Sequence, residues 1–363
     1  RACHPIEFPP AEVSPKGSRW PVGRLKLCSV KAAVLRGVQE LVVDTVPQPN
    51  PHVGEVVVRL HAAALNHRDV WIKGGKYAGL KFPVILGSDG AGTVVQAGPG
   101  VDPSVVGQEV ILNPSLDWGH SEKSQEPRFS ILGLPRDGTF AEFVSIPAKQ
   151  LTPKPTHLSW EEAAALPLAG LTAYRAIFSR AGLKAHERIL INGIGAGTAL
   201  FALQFAAAAG AIPCVTSSAP WKLERAHELG SKAGSLYNLP DWHVEFGKHH
   251  GPFDVVIDSA GGAGFETLVD LTASGGRIVF FGATCGNPPE LPTRKLFWQQ
   301  ISLLGTTMGS PAEFAAMVEF VKTHVIKPVV SEVFDLDHIG AAFERMERGE
   351  QFGKLVVRLS SEP

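Results

Sequence analysis

Between residues 188 and 204 an aliphatic run, Ile189-Leu190-Ile191, breaks into Asn192-Gly193-Ile194-Gly195-Ala196-Gly197-Thr198 and then resumes as an alanine-rich apolar stretch. The order is strand, glycine-rich turn, helix. Glycines let a backbone turn sharply and come close to a ligand, and a helix start offers unpaired N–H groups and the positive end of a dipole, so the arrangement suits the pyrophosphate of a dinucleotide. The spacing is not a strict G-x-G-x-x-G, because Thr198 stands three residues after Gly195, although Ala196 and Ala199 are small enough for close packing.

The rhythm around this turn supports the same reading. Continuous apolar runs at 188–192, 212–216, 253–258, 277–281 and 301–306 alternate with helical stretches, which implies a parallel sheet covered on both faces. Before it the pattern differs. Short β-branched segments at 32–35, 41–44, 55–64, 90–97, 109–113 and 140–146, separated by Gly, Pro or Asn, predict an all-β, barrel-like part. The change falls near Ser159, where Ser-Trp-Glu-Glu reads as a capped helix start. After Pro328 a further strand, a helix over 337–348 and a strand over 354–359 are expected to return to the first part. The expected domains are thus 30–152 with 328–363, and 153–327, after an N-terminal extension at 1–29.

Composition removes several classes. With 34 Lys and Arg against 35 Asp and Glu the net charge is −1, which does not suit a nucleic-acid-coating polycation. No run of about 18 apolar residues occurs, so no spanning helix is expected. The four cysteines, Cys3, Cys28, Cys214 and Cys285, lie far apart without a C-x-x-C pair and suit neither a disulfide framework nor a cysteine-rich zinc module. Residues 1–31 carry six Lys or Arg against two Glu and five prolines, and read as a solvated extension. The expected location is cytoplasmic, or organellar if residues 1–29 derive from a targeting segment.

The end of the second strand speaks to nucleotide choice. A carboxylate there binds a ribose 2′-hydroxyl, whereas hydroxyls and a cation suit a 2′-phosphate. Residues 188–223 contain no Asp or Glu, and the strand ends in Ser217 and Ser218 with Lys222 following. NADPH is therefore the expected coenzyme.

Several motifs in fixed order resemble the medium-chain dehydrogenase/reductase superfamily, in its zinc-free quinone oxidoreductase branch: Asn66-His67-Arg68-Asp69, Gly87-Ser88-Asp89-Gly90, Asp137-Gly138-Thr139, Pro167-Leu168-Ala169-Gly170 with Thr172 and Tyr174, and the glycine turn. The resemblance spans about residues 31–360. It implies an α/β protein made of a GroES-like β-barrel catalytic domain and a Rossmann doubly wound domain. In zinc-dependent relatives two Cys and one His hold the catalytic ion; Asn66, Ser88 and Leu168 stand at those places here, so no metal is expected. The family's NADPH-specific lysine and tyrosine match Lys222 and Tyr237.

The expected chemistry is hydride transfer to a quinone or α,β-unsaturated carbonyl, with trans-2-enoyl thioester reduction as an alternative and a non-catalytic crystallin-like or RNA-binding member as a second. Asn66 is the candidate partner of the substrate oxygen, Asp69 orients its loop, Tyr77 is a candidate proton donor and Thr172 touches the nicotinamide. The coenzyme candidates are Gly193, Gly195, Ala196, Gly197, Thr198, Ser217, Ser218, Lys222 and Tyr237, with Ser259, Gly282, Ala283 and Thr284 at the ends of later strands, where ligands of open α/β sheets bind. The expected partners are a small-molecule substrate and a second copy of the chain, with no nucleic acid and no membrane.

Overall fold

The computed structural model describes residues 29–359. These divide into two compact units, one made of residues 29–168, Val330–Glu350 and 354–359, the other of Ala169–Val329 and Gln351–Gly353.

The first unit is built from short strands: β1 (Ser29–Leu35), β2 (Leu41–Pro47), β3 (Glu55–Ala64), β4 (Val84–Ile85), β5 (Asp89–Ala97), β6 (Glu109–Leu112), β7 (Ser115–Leu116), β8 (Ser130–Ile131), β9 (Phe143–Pro147) and β10 (Leu151–Pro153). Helix α1 (His67–Lys73) follows β3, and α2 (Trp160–Ala165) follows β10. The long β3 is buried almost throughout and pairs with β5 and β9 on its two sides. Its side chains join Leu65, Ile72, Leu86, Phe140 and Phe343 in one apolar core.

Ser159 caps α2 as expected: its hydroxyl accepts from the Glu162 N–H at 3.1 Å, and Glu162 accepts from the Ser159 N–H at 2.9 Å. The change of rhythm places this helix with the second domain. In the structure it packs on β3 and β5, and Trp160 stacks on His61 at 4.1 Å. Local periodicity reports a helix, not the surface that covers its apolar face.

The second unit opens with the end of α3 (Pro167–Tyr174) and holds β11 (Arg188–Ile191), α4 (Gly197–Ala208), β12 (Ile212–Ser217), α5 (Pro220–Glu228), β13 (Ala233–Leu236), α6 (Trp242–His250), β14 (Phe253–Asp258), α7 (Phe265–Leu271), β15 (Thr272–Phe280), α8 (Thr293–Gln299), β16 (Ser302–Gly305) and α9 (Pro311–Thr323). Its six strands are parallel in the order β13-β12-β11-β14-β15-β16. Strand order reverses direction between β11 and β14, so the carboxyl ends of these two strands mark the ligand-binding edge of the sheet. Strand β13 is absent from the expected strands because Ala233-Gly234-Ser235-Leu236 has no apolar run to announce it. Helix α4 is apolar on nearly every face and buries Leu200, Phe201, Leu203 and Phe205.

The chain then returns through β17 (Val330–Asp335), α10 (Ile339–Arg348) and β18 (Lys354–Arg358), which complete the barrel sheet in the order β10-β6-β5-β3-β18-β17. Between α10 and β18, residues Gln351–Gly353 belong to the parallel-sheet unit. Cys214 is buried and free, whereas Cys285 is disulfide-bonded, a bond that spacing along the chain does not signal. No helix among the described residues is long and apolar enough to cross a membrane. The expected extension at residues 1–29 lies, apart from Ser29, outside the described residues.

Candidate functional site

Asn66 ends β3's excursion and starts α1. Asp69, three residues on, reaches back so that its Oδ2 accepts from the Asn66 N–H at 2.9 Å, which fixes the entry of the chain into the helix. The Asn66 side chain is thereby free to face β5. Its Nδ2 donates to Asp89 Oδ2 at 2.9 Å, and its Oδ1 accepts from Lys354 Nζ at 2.6 Å. Lys354 also donates to Asp89 Oδ2 at 2.9 Å. The second Asp89 oxygen accepts from the Leu168 N–H at 2.8 Å. Asp89 is fully buried and Lys354 nearly so, so the charges can reside there only as a pair.

A second cation lies beside this group. Arg68 donates through Nη1 to Ser88 Oγ at 2.7 Å and to the Leu132 carbonyl at 3.0 Å, and its guanidinium lies 5.2 Å from the centre of the half-buried Tyr77 ring. Burial pushes the Asp69 carboxyl up to about 6, against the pull of Arg68 and Lys354. Burial lowers His67. The atoms Arg68 Nε and Asp69 Oδ1 are buried without a hydrogen-bond partner.

Asn66, Asp69 and Tyr77 thus share the barrel unit, while Thr172 is buried on the part of α3 that belongs to the other unit. Arg68, Asp89 and Lys354 are not among the sequence candidates. Asp89 stands in the same motif as Ser88, which marks it locally; Lys354 lies 288 positions from Asn66, and nothing local marks it.

In the parallel-sheet unit the glycine turn leaves β11 with Gly193 at φ +77° and Gly195 at φ +135°, conformations glycine reaches without strain. Thr216 of β12 holds the turn, accepting from the Gly193 N–H at 2.9 Å and donating to Asn192 Oδ1 at 2.7 Å. Asn192 Nδ2 donates to Asp258 Oδ1 at 2.8 Å, tying β11 to β14. Ala196 caps α4 with no side-chain oxygen, so no side chain competes for the first-turn N–H groups at Gly197 and Thr198. The Gly195 carbonyl accepts from the Gly353 N–H at 2.9 Å.

Lys222 on α5 reaches this turn: a methyl group placed on Gly195 would lie 3.2 Å from its Nζ. Burial lowers its pKa. Ser217 is buried and its Oγ accepts from the Ala219 N–H at 3.2 Å, so that hydroxyl serves the start of α5, whereas Ser218 is exposed. Tyr237 follows β13, donates its N–H to the Ser217 carbonyl at 3.0 Å and exposes its ring. At the ends of β14 and β15, Thr284 donates to the Ser259 carbonyl at 3.3 Å, and Gly282 and Ala283 lie in the same loop.

Comparison with known proteins agrees with this division. The family model described as alcohol dehydrogenase GroES-like domain matches residues 52–156, and that described as zinc-binding dehydrogenase matches residues 197–323. The zinc-type alcohol dehydrogenase-like protein YogA of Leptosphaeria maculans is 37% identical over 88% of this chain and 94% of its own. Crotonyl-CoA reductase of Streptomyces avermitilis is 32% identical over 86% of this chain and 81% of its own. A solved structure described as an NAD-dependent alcohol dehydrogenase superposes with a TM-score of 0.86 at 39% identity, covering 91% of this chain and all of that one.

Proposed function

Because the chain belongs to the medium-chain dehydrogenase/reductase superfamily, we propose that it is an NADPH-dependent, zinc-independent reductase of quinones or α,β-unsaturated carbonyl compounds. The observation that carries this reading is the ammonium of Lys354, 2.6 Å from Asn66 Oδ1. A zinc site needs thiolate, imidazole or carboxylate donors around an open position. Here the three matching residues offer an amide already bonded to a lysine, a hydroxyl bonded to Arg68, and the hydrocarbon of Leu168. The residues do not fit a zinc ion. Among the described residues no group of three or more His, Cys, Asp and Glu is arranged to hold a metal.

The second unit fits a dinucleotide. Gly193, Gly195, Ala196, Gly197 and Thr198 would take the pyrophosphate at the uncapped start of α4. Lys222, Ser218 and the phenol of Tyr237 would take the 2′-phosphate, with the Ser217 hydroxyl behind them. Residues Ser259, Gly282, Ala283 and Thr284 would border the nicotinamide, and Thr172 would approach it. When bound, the reduced coenzyme supplies a hydride.

Without a Lewis acid, deprotonation of an alcohol at neutral pH has no driver, and an acceptor that is already electrophilic is the natural substrate. Asn66 and Asp69 then act as positioning residues: Asp69 holds the backbone of Asn66, and the Asn66 amide holds Lys354. Tyr77 is the proposed proton source, with the charge of Arg68 against its ring.

The likeness to crotonyl-CoA reductase supports a second reading, reduction of an enoyl thioester. Lys76 and Lys81 would meet the coenzyme A phosphates; Lys73 is already paired with Glu347 at 2.9 Å. Oxidation of NADPH, with NADH in parallel, against ortho- and para-quinones, simple enones, enoyl-CoA esters and aldehydes separates these readings. Turnover of aldehydes alone defeats both. We include a homodimer in the reading: among the described residues β16 forms an open edge of the parallel sheet, next in the chain to Phe297 and Trp298, which are 68% and 80% exposed.

A further inference from the structure

Lys354 has more to donate than the barrel unit accepts. Its ammonium carries three N–H groups. Asn66 Oδ1 and Asp89 Oδ2 take two, at 2.6 and 2.9 Å, and the third has no acceptor among the described residues. Asp89 is engaged at both oxygens, its Oδ1 by the Leu168 N–H and its Oδ2 by Asn66 and Lys354. Two further buried atoms of the same neighbourhood, Arg68 Nε and Asp69 Oδ1, are without hydrogen-bond partners. Buried polar groups left unmet in a well-paired interior are uncommon, and they concentrate where a protein binds or reacts.

The placement adds meaning. The ammonium is fixed by Asn66, one of the three residues that stand where zinc-dependent relatives have metal ligands. A metal there would offer positive charge and one open position to a substrate oxygen. Lys354 offers positive charge and one unused N–H.

We propose that Lys354 is a catalytic residue whose third N–H donates to the carbonyl oxygen of the substrate. This rests on the reading of the chain as a zinc-independent reductase of α,β-unsaturated carbonyls. Hydride adds to the β-carbon and forms a C–H bond, leaving the nicotinamide oxidised. The C=C π pair becomes the bond between the α-carbon and the carbonyl carbon, and the carbonyl π pair moves onto oxygen as an enolate. Lys354 holds that negative oxygen. The Tyr77 phenol gives its proton to the α-carbon and regains one from water, C=O re-forms, and the substrate has gained two electrons and two hydrogens. Asn66 and Asp89 position the ammonium, and its charge is present before the reaction, so no reorganisation is needed when the oxygen becomes anionic.

The test must separate this role from neutralising Asp89. Lys354→Met alone leaves a buried carboxylate unpaired, so it is combined with Asp89→Asn. Folding is followed by circular dichroism, NADPH affinity by fluorescence titration, and kcat with cyclohexenone. The double variant is expected to fold and to bind NADPH within about twofold of the wild type. Its kcat is expected to fall about 100-fold or more, the scale of losing an oxyanion donor. Lys354→Gln, likewise combined with Asp89→Asn, keeps a donor without charge; it is expected to lose kcat similarly and serves where the methionine variant does not fold. Restored kcat in the double variant, or weaker NADPH binding at unchanged kcat, overturns the proposal. A wild-type protein inert toward all enones, enoyl thioesters and quinones instead fails the functional reading, and the proposal falls with it.

Discussion

Replacing Lys222 by alanine tests coenzyme choice at one side chain. Its Nζ would lie 3.2 Å from a methyl on Gly195, and its Cδ 3.1 Å, so the ammonium lies at the turn. It lies 5.4 Å from the centre of the Trp221 ring and is partly withdrawn from water, which strengthens any ionic bond it makes. A charge-assisted hydrogen bond of this kind is worth about 1.5–3 kcal/mol. At about 1.4 kcal/mol per tenfold, its loss weakens binding about 10- to 150-fold. The effect must fall on the 2′-phosphate alone. Fluorescence titration of Lys222→Ala with NADPH and NADH, and competition by 2′,5′-ADP and 5′-AMP, is expected to show that loss for the two 2′-phosphorylated ligands and changes within about twofold for the other two. An equal loss for all four would mean that Lys222 serves the turn and not the phosphate.

Other expectations concern stability, pH and assembly. Gly353 has φ +120°, and a side chain there would run into the Val329 carbonyl oxygen; Gly353→Ala should lower unfolding stability by at least ~2 kcal/mol in urea titrations and weaken NADPH binding by releasing the Gly195 carbonyl. Burial raises the Asp69 carboxyl from its ordinary 3.8 to about 6, so its contribution is fully present below about pH 4 and is lost as pH rises through about 6. Asp69→Asn should therefore be more stable than wild type at pH 8 by an amount on the order of 3 kcal/mol, with the advantage gone at pH 4, as read from melting curves across pH. Trp298→Glu should shift sedimentation from dimer to monomer while leaving the melting temperature of the chain nearly unchanged; an unaltered dimer would move the interface elsewhere.

The parts of the molecule legible in its sequence are those written locally. Ile189 to Thr198 spells strand, turn and helix within ten positions, and each glycine constrains only its own backbone, so the glycine turn can be read directly. Ser159 and Glu162 cap a helix for the same reason. What that helix packs against is a long-range fact, and periodicity assigns α2 to a unit it does not join. The Ser217 hydroxyl looks available in sequence but is turned to the Ala219 N–H, a bond decided by the angle between β12 and α5. Lys354 is the extreme case: Asn66 and Asp89 are 288 and 265 positions away, and only the pairing of β18 with β3 brings them together. Subtracting cysteine and histidine from the family pattern tells what the site lacks, and does not tell which cation replaces it.

The proposed reductase works without a metal ion. The most direct measurement of this is elemental analysis of purified protein alongside NADPH-dependent reduction of an α,β-unsaturated carbonyl, before and after prolonged chelation. Zinc far below one atom per chain and a rate untouched by chelator are expected. One zinc per chain, with activity lost on its removal and regained on its return, would contradict the metal-free reading.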